Sequence, residues 1–121
     1  MEINIHDKRK IHEIQKDFSL IFPNLRLDFF TPSEEPPHLL VHHTKSIGEC
    51  RAMHSKGTLS IFPHMTVSEL KQGLKDTFGL HAEVYRKVGN DWLETTSEKW
   101  QLEKHNAVAH ELNSENTLEV L

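Results

Sequence analysis

The sequence predicts an α+β fold, with a mainly antiparallel sheet and two helices packed on one face. Three observations predict it. Residues 66–78 combine helical spacing with capping signals at both ends, Gly89 and Asn90 separate two β-rich runs, and the elements follow the order strand, helix, strand, hairpin, helix, hairpin. A ferredoxin-like topology is the leading expectation, and a ubiquitin-like grasp around the second helix is the alternative.

The N-terminal segment is predicted to form a strand, a helix and a second strand. Residues 1–5 alternate apolar and polar side chains, which is typical of a half-buried strand. Asp7 can cap the helix by accepting its free amide hydrogens, and Pro23 ends it. Residues 25–30 return as the second strand, which gives the size of a βαβ unit. The apolar stripe of the helix consists of Ile11, Ile14, Phe18, Ile21 and Phe22.

The middle of the chain is predicted to contain a loop and a hairpin. Residues 31–38 contain three prolines and two glutamates, a composition that excludes a regular element and predicts a mobile loop. Residues 46–54 and 57–62 have the character of two strands. Gly57 can adopt the positive φ that a short hairpin turn requires.

The second helix, residues 66–78, has the clearest local signals. Thr66 and Glu69 fit a capping box, in which each side chain accepts a hydrogen bond from the other residue's backbone amide. Gly79 stands where a left-handed C-cap belongs. Gly73 costs the helix about 1 kcal/mol relative to alanine, which suggests a close approach to a neighbouring element. The shared apolar face consists of Val67, Leu70, Leu74 and Phe78.

The second hairpin is predicted around Gly89 and Asn90, a pair that favours the tight turns matching strand twist. Counting outward from this turn pairs residues 83–88 with residues 91–96 in reverse order. The face assigned to the core consists of Leu80, Ala82, Val84 and Leu93. The outer face consists of Glu83, Tyr85, Lys87, Trp92, Glu94 and Thr96.

A third helix is predicted within residues 97–112, which lack glycine and proline and begin with Ser97 as a capping residue. A chain of 121 residues is long enough for one core but too short for two cores and a linker. We therefore expect a single domain over residues 1–112. Residues 113–121 are expected to be a disordered tail.

Composition and charge argue against several classes of protein. The net charge is −4, and residues 89–121 carry seven acidic and two basic side chains, so we expect no nucleic-acid partner. No apolar run is long enough to span a membrane. Cys50 is the only cysteine and the N-terminus lacks a secretory apolar region, which together predict a soluble, cytoplasmic protein. The sequence does not indicate an oligomeric state.

Residues 38–54 contain Cys50 and four of the ten histidines, which raises the question of a metal site. A structural zinc site requires four ligands, typically as two close pairs, and this stretch offers one thiol and no such pair. His42 and His43 are expected to point to opposite faces of an extended segment. We predict no metal ligands and no cofactor, although a site assembled from distant histidines stays open. Ten histidines should also make stability respond to pH between about 5 and 8.

No catalytic residue is predicted either. The chain has no phosphate-binding loop, dinucleotide-binding fingerprint, nucleophile elbow or zinc-protease motif. No local pattern near Cys50, such as a helix N-terminus, indicates a lowered pKa of its thiol. An enzyme is therefore the less favoured class.

The sequence instead favours a small, non-catalytic, cytoplasmic module that binds a protein or peptide partner. Aromatic and charged side chains on a rigid sheet suit such a contact, and the predicted partner-binding residues are Tyr85, Lys87, Trp92 and Glu94. In a competing interpretation, Lys87 lies over the Trp92 ring and a third helix carrying Trp100 covers this face. The alternative function is a small metal-assisted or Cys-dependent enzyme that uses residues 38–54.

Overall fold

The computed structural model describes residues 1–32 and 38–119, with side chains up to Asn113. These residues form an α+β fold with three α-helices and two antiparallel sheets. The elements in chain order are β1 (Glu2–Ile5), α1 (Ile11–Ile21), β2 (Leu25–Phe30), a 3₁₀ turn (Ile47–Cys50), β3 (Gly57–Ser60), α2 (Val67–Phe78), β4 (His81–Val88), β5 (Asp91–Glu94) and α3 (Leu102–Glu119).

The strands form two sheets where one was expected. β1 pairs with β3, while β2, β4 and β5 form a three-stranded sheet with β4 at its centre. Because β1 and β2 lie in different sheets, the predicted βαβ unit is not formed. All these strand pairs are antiparallel, as expected. Neither the ferredoxin-like nor the ubiquitin-like topology is confirmed.

The core is built where the helices pack against the strands. α1 contacts β1 and β2, and α2 and α3 both contact β4. The predicted apolar faces of α1 and α2 are buried, except for Ile21, which is only partly buried. Apolar periodicity alone therefore identified the inward faces of both helices.

The end signals of α2 are confirmed. Thr66 Oγ1 accepts a hydrogen bond from the Glu69 amide at 3.1 Å, and Glu69 Oε1 accepts one from the Thr66 amide at 3.4 Å. Gly79 ends the helix with a φ of 64°. The close approach expected at Gly73 is wrong, because no heavy atom outside the helix backbone lies within 4 Å of the position a Cβ would take.

The predicted hairpin between residues 46–54 and 57–62 is also wrong. Residues 47–50 form a 3₁₀ turn, and β3 pairs with β1, so that Gly57 stands opposite Ile5 within a strand. Side chains three residues apart share one side of a 3₁₀ turn. Both apolar ends of this turn, Ile47 and Cys50, are accordingly buried.

Asp7 does not cap α1, which begins after Lys10. Its carboxylate instead accepts hydrogen bonds from Nε and Nη2 of Arg51 at 3.1 and 2.8 Å and lies 2.9 Å from His54 Nδ1. The Arg51 side chain is fully buried, and its Nη1 donates to the Phe78 carbonyl oxygen. This cluster joins the turn after β1 to the end of α2.

The register of the β4–β5 hairpin is confirmed over residues 85–88 and 91–94. The Thr95 amide donates to the Val84 carbonyl oxygen at 3.0 Å, but the strand pairing ends at Glu94, before the predicted partner of Glu83. Leu80, Ala82 and Val84 are buried as expected.

The assignment of Leu93 to the core is wrong, because its side chain is 54% exposed. Leu93 continues a row of side chains from Leu25 on β2 through Arg86 on β4. Exposure increases along this row from a fully buried Leu25 to a half-buried Arg86 and then to Leu93. The reason is that β5 is an edge strand, whereas the helices pack on β1, β2 and β4.

The third helix is present, but it begins at Leu102, so Ser97 does not cap it as predicted. It runs to Glu119, beyond the boundary at residue 112 that the sequence suggested. The end of the expected disordered tail, residues 120–121, lies outside the described residues. Most of the predicted proline-rich loop, residues 33–37, lies outside them as well.

Candidate functional site

A cleft of about 500 Å³ is lined mainly by residues of α2 and β4. Val84 and Ala82 point into the core, so the alternation of a strand turns Glu83 and Tyr85 toward the opposite side. The residues that line the cleft are Phe30, His38, Ser68, Lys71, Gln72, Lys75, Leu80, His81, Ala82, Glu83, Tyr85, Glu94 and Glu98. The cleft is therefore amphipathic, with aromatic, cationic and carboxyl side chains on its walls.

Lys71 crosses the cleft from α2 and ties the helix to the sheet. Its Nζ donates to both carboxylate oxygens of Glu83, at 2.8 and 2.9 Å, and to Glu98 Oε1 at 2.5 Å. Burial lowers the pKa of Lys71, but the hydrogen bonds and charges of the two glutamates outweigh that effect and raise it above 10.5. Lys71 is therefore a charged, fully engaged part of the wall.

Glu94 carries a carboxyl group whose charge is poorly compensated. The residue is exposed, but partial desolvation raises its pKa above the ordinary 4.5. The charge of Glu83 and a hydrogen bond between the two carboxyl groups raise the pKa further, against a smaller opposing effect of Lys71. A like charge nearby disfavours the ionised form of a carboxyl group, which is why Glu83 adds to the rise in the pKa of Glu94. Among the described residues, Glu94 has no ion pair within 4.0 Å.

Beside the cleft, Arg26 lies over two aromatic rings. Its guanidinium carbon is 5.4 Å from the centroid of the Tyr85 ring and 5.1 Å from that of Trp92. Asp28 holds the guanidinium through a 3.0 Å ion pair and is itself hydrogen-bonded to Gln15. The cation over Trp92 is thus Arg26, although Lys87 does stand opposite Trp92 in the register.

The predicted partner-binding residues occupy two neighbouring regions of this outer face. Tyr85 and Glu94 line the cleft, and Trp92 is half-buried beside it under Arg26. Lys87 lies nearer the hairpin tip, where its amide donates to the Asn24 carbonyl oxygen. Their role in partner binding stays a prediction.

Trp100, which covers this face in the competing interpretation, packs against His105 instead, with the rings tilted by 37° and 5.0 Å between their centroids. Leu102, at the start of α3, belongs to the same core cluster as Val84, whose side chain lies on the other side of β4 from Tyr85. The start of α3 therefore packs on the core side of β4 and not on the outer face that carries Tyr85.

The contribution of α2 and β2 to the site was not among the sequence predictions. Arg26 and Asp28 alternate with the buried Leu25 and Leu27, so period two in β2 already placed them on the other face of the strand, where Arg26 is half-buried and Asp28 is buried. No local signal indicates that Lys71 meets Glu83 and Glu98. That contact depends on the packing of α2 against β4.

The histidine-rich segment forms no single site. Leu40 bridges to β2, and the amides of Ile11 and His12 donate to the carbonyl oxygens of Lys45 and His43. The rings of His42 and His43 lie together, 4.2 Å between centroids, and not on opposite faces as expected, because this part of the chain turns. No group of three or more potential metal ligands occurs in the part of the chain with described side chains.

Cys50 is buried, and its Sγ donates to the Ile47 carbonyl oxygen at 3.2 Å. Burial raises the pKa of the thiol to about 11, against a smaller opposing effect of the adjacent Arg51. The thiolate, which is the nucleophilic form, is therefore scarcely populated at neutral pH.

A scan against protein-family models, a search of curated proteins and a search of solved structures each found no match to this chain. Within the described residues, no helix is both long enough and apolar enough to cross a bilayer. The function must therefore be argued from the site alone.

Proposed function

We propose that this protein is a small, non-catalytic interaction module that binds an extended segment of a protein or peptide partner in the cytoplasm. The contact surface in this proposal is the outer face of the β4–β5 hairpin, with Tyr85, Lys87, Trp92 and Glu94 as contact residues. The proposal involves neither nucleic acid nor membrane, in keeping with the excess of acidic residues.

The observation that carries this proposal is the cleft of about 500 Å³ directly beside the Tyr85–Trp92 pair. Aromatic side chains supply much of the free energy at protein interfaces when they are held rigidly beside a pocket. Here Arg26 and Asp28 hold both rings before any partner arrives.

The edge of β5 supports an extended partner. β4 is the only strand that pairs with β5 in the described part of the chain. In the register set by the two-residue turn, Trp92 and Glu94 occupy non-hydrogen-bonded positions, so their backbone groups face away from β4. A peptide strand can satisfy these groups and place alternate side chains over the outer face.

The Cys-dependent alternative receives no support from the structure. Cys50 is enclosed in the core, and its raised pKa leaves it protonated at neutral pH. A nucleophilic cysteine requires the opposite environment, an accessible thiol with a lowered pKa.

Affinity capture with the full chain tests the proposal. The bait proteins are the wild type, the Tyr85→Ala/Trp92→Ala double variant and Leu20→Ala, which alters an exposed apolar side chain on α1. We expect a partner that the wild type and Leu20→Ala retain and the double variant loses, with circular dichroism showing that all three are folded. A partner retained equally by all three proteins would contradict the proposal.

A further inference from the structure

The cleft has an electrostatic imbalance that the partner-binding proposal does not itself explain. Two lysines and three glutamates line it, so one negative charge is in excess when the histidines are neutral. Lys71 is engaged by Glu83 and Glu98, whereas Glu94 lacks an ion pair among the described residues. Lys75 is the other cation on these walls, one helical turn after Lys71.

The cleft also contains aromatic rings, one of which lies next to Glu94. Tyr85 stands opposite Glu94 in the β-ladder, and Phe30 lines the same cleft. Side chains directly opposite each other on one face of an antiparallel pair have Cβ atoms about 5 Å apart. A ring face next to a carboxylate is the environment that a cationic side chain prefers, because both the ring and the carboxylate attract positive charge.

We propose that this cleft accepts a basic side chain, arginine or lysine, from the bound partner segment, and that this side chain lies between the Glu94 carboxylate and the part of the Tyr85 ring that Arg26 does not cover. The inference rests on the proposed function, since it names the chemistry of the segment that binds at β5. It requires an extended partner strand with a basic residue on the face toward Glu94.

Three observations favour a cation over an anion or a neutral group in this cleft. The excess charge of the lining is negative. The raised pKa of Glu94 reflects partial desolvation and the neighbouring Glu83 charge, and an incoming cation would relieve the second of these. The α2 cation nearest the carboxyl pair, Lys71, is already satisfied by Glu83 and Glu98, so it does not need a partner anion.

The geometry also sets how the basic side chain would reach the cleft. Glu94 is the last residue of β5, and the outward backbone groups of Trp92 and Glu94 fix the path of an added strand. Successive side chains of that strand alternate between faces. Only alternate residues of the partner can therefore meet Glu94.

The experiment is a titration of the full chain, isotope-labelled, with three capped pentapeptides that differ only in the central residue. Threonine and valine flank the centre because they favour an extended backbone, and the centre is arginine, glutamine or glutamate. Backbone amide shifts of Tyr85, Trp92 and Glu94 give the dissociation constants. Acetylarginine amide serves as a fourth ligand that carries the cation without a strand.

We expect the arginine peptide to bind about tenfold more tightly than the glutamine peptide, which corresponds to about 1.4 kcal/mol. The glutamate peptide and acetylarginine amide should be weaker than the arginine peptide. Glu94→Gln should abolish the preference for arginine over glutamine. Asp91→Asn, a matched change of another exposed carboxylate on β5 outside the cleft, should leave the preference intact.

Three outcomes would overturn the inference, and the first two differ in what they say about the proposed function. If all three peptides shift the same amides with equal affinity, the basic-side-chain inference fails while binding of an extended segment stands. If no peptide shifts these amides, the inference fails, and a partner captured in a Tyr85- and Trp92-dependent manner would then have to bind by another mode. Acetylarginine amide binding as tightly as the arginine peptide would also overturn the inference, because the cation would not need the strand.

Discussion

The Cys50 thiol gives a direct chemical test of the core around the 3₁₀ turn. It is buried, hydrogen-bonded to the Ile47 carbonyl oxygen, and has a pKa raised to about 11 by burial. We therefore predict that iodoacetamide alkylates the folded protein at neutral pH far more slowly than the denatured protein, as measured by mass spectrometry over time. Equal rates in the two states would show that the thiol is accessible.

His105 gives a prediction about pH. The structure describes all ten histidines, and His105 is the only one of them that is buried. Burial lowers its pKa below 6.5, against a smaller opposing effect of the hydrogen bond between its Nε2 and the Ser97 carbonyl oxygen. As pH falls below 6.5, the imidazole of the unfolded chain becomes protonated while that of the folded chain stays neutral. The free energy of unfolding therefore decreases until the pH reaches the lowered pKa of the folded state.

The measurement for His105 is the unfolding midpoint in denaturant at several pH values. His105→Gln should reduce the loss of stability between pH 6.5 and the lowered folded pKa. His110→Gln, an exposed change on the same helix, should leave the wild-type pH dependence almost unchanged. Identical profiles for the wild type and His105→Gln would refute this assignment.

At the scale of elements, the packing around α2 does not require a glycine at position 73. Gly73 faces no heavy atom within 4 Å of a built Cβ, so alanine fits there without strain. Because glycine loses more backbone entropy than alanine in a helix, Gly73→Ala should raise the free energy of unfolding by about 1 kcal/mol. Gly89→Ala, at a turn residue with a φ of 60°, should lower it. Chemical denaturation of the two variants checks both signs.

The elements also show which features can be predicted from the chain. Local signals sufficed for α2, because its caps and apolar face lie within about fifteen residues of one another, and for the Gly89–Asn90 hairpin, because a two-residue turn fixes the register. They failed for β3, whose partner β1 is more than fifty residues away. An apolar run such as residues 57–62 indicates a strand but not its partner.

The candidate site was predictable in part for the same reason. Tyr85 and Glu94 were correctly assigned to the outer face because strand alternation is local. Leu93 was not, since its exposure depends on how far the helices extend across the sheet. The salt bridges of Lys71 arise only when α2 packs on β4, so the cleft itself could not be derived from sequence.

At the scale of the whole molecule, the Asp7–Arg51 ion pair joins parts of the chain that are 44 residues apart. The hydrogen bond from Arg51 to the Phe78 carbonyl oxygen extends this connection to the C-terminal end of α2. Since the guanidinium is fully buried, it depends on its partners to offset the loss of hydration. Removing the carboxylate would leave a buried cation with only neutral acceptors.

We therefore predict that Asp7→Asn lowers the thermal midpoint by several degrees at neutral pH. Hydrogen bonds from Arg51 and His54 lower the pKa of Asp7 below 3.8, so its contribution is complete above that value and is lost as pH falls through the lowered folded pKa. The difference between wild type and variant should accordingly shrink in acid. Asp17→Asn, which breaks the ion pair with Arg9, a cation that is partly exposed where Arg51 is fully buried, should change the midpoint much less at any pH. Equal effects of the two substitutions in calorimetry would mean that the buried Arg51 does not depend on Asp7, and that the turn after β1 and the end of α2 are held together by apolar packing instead.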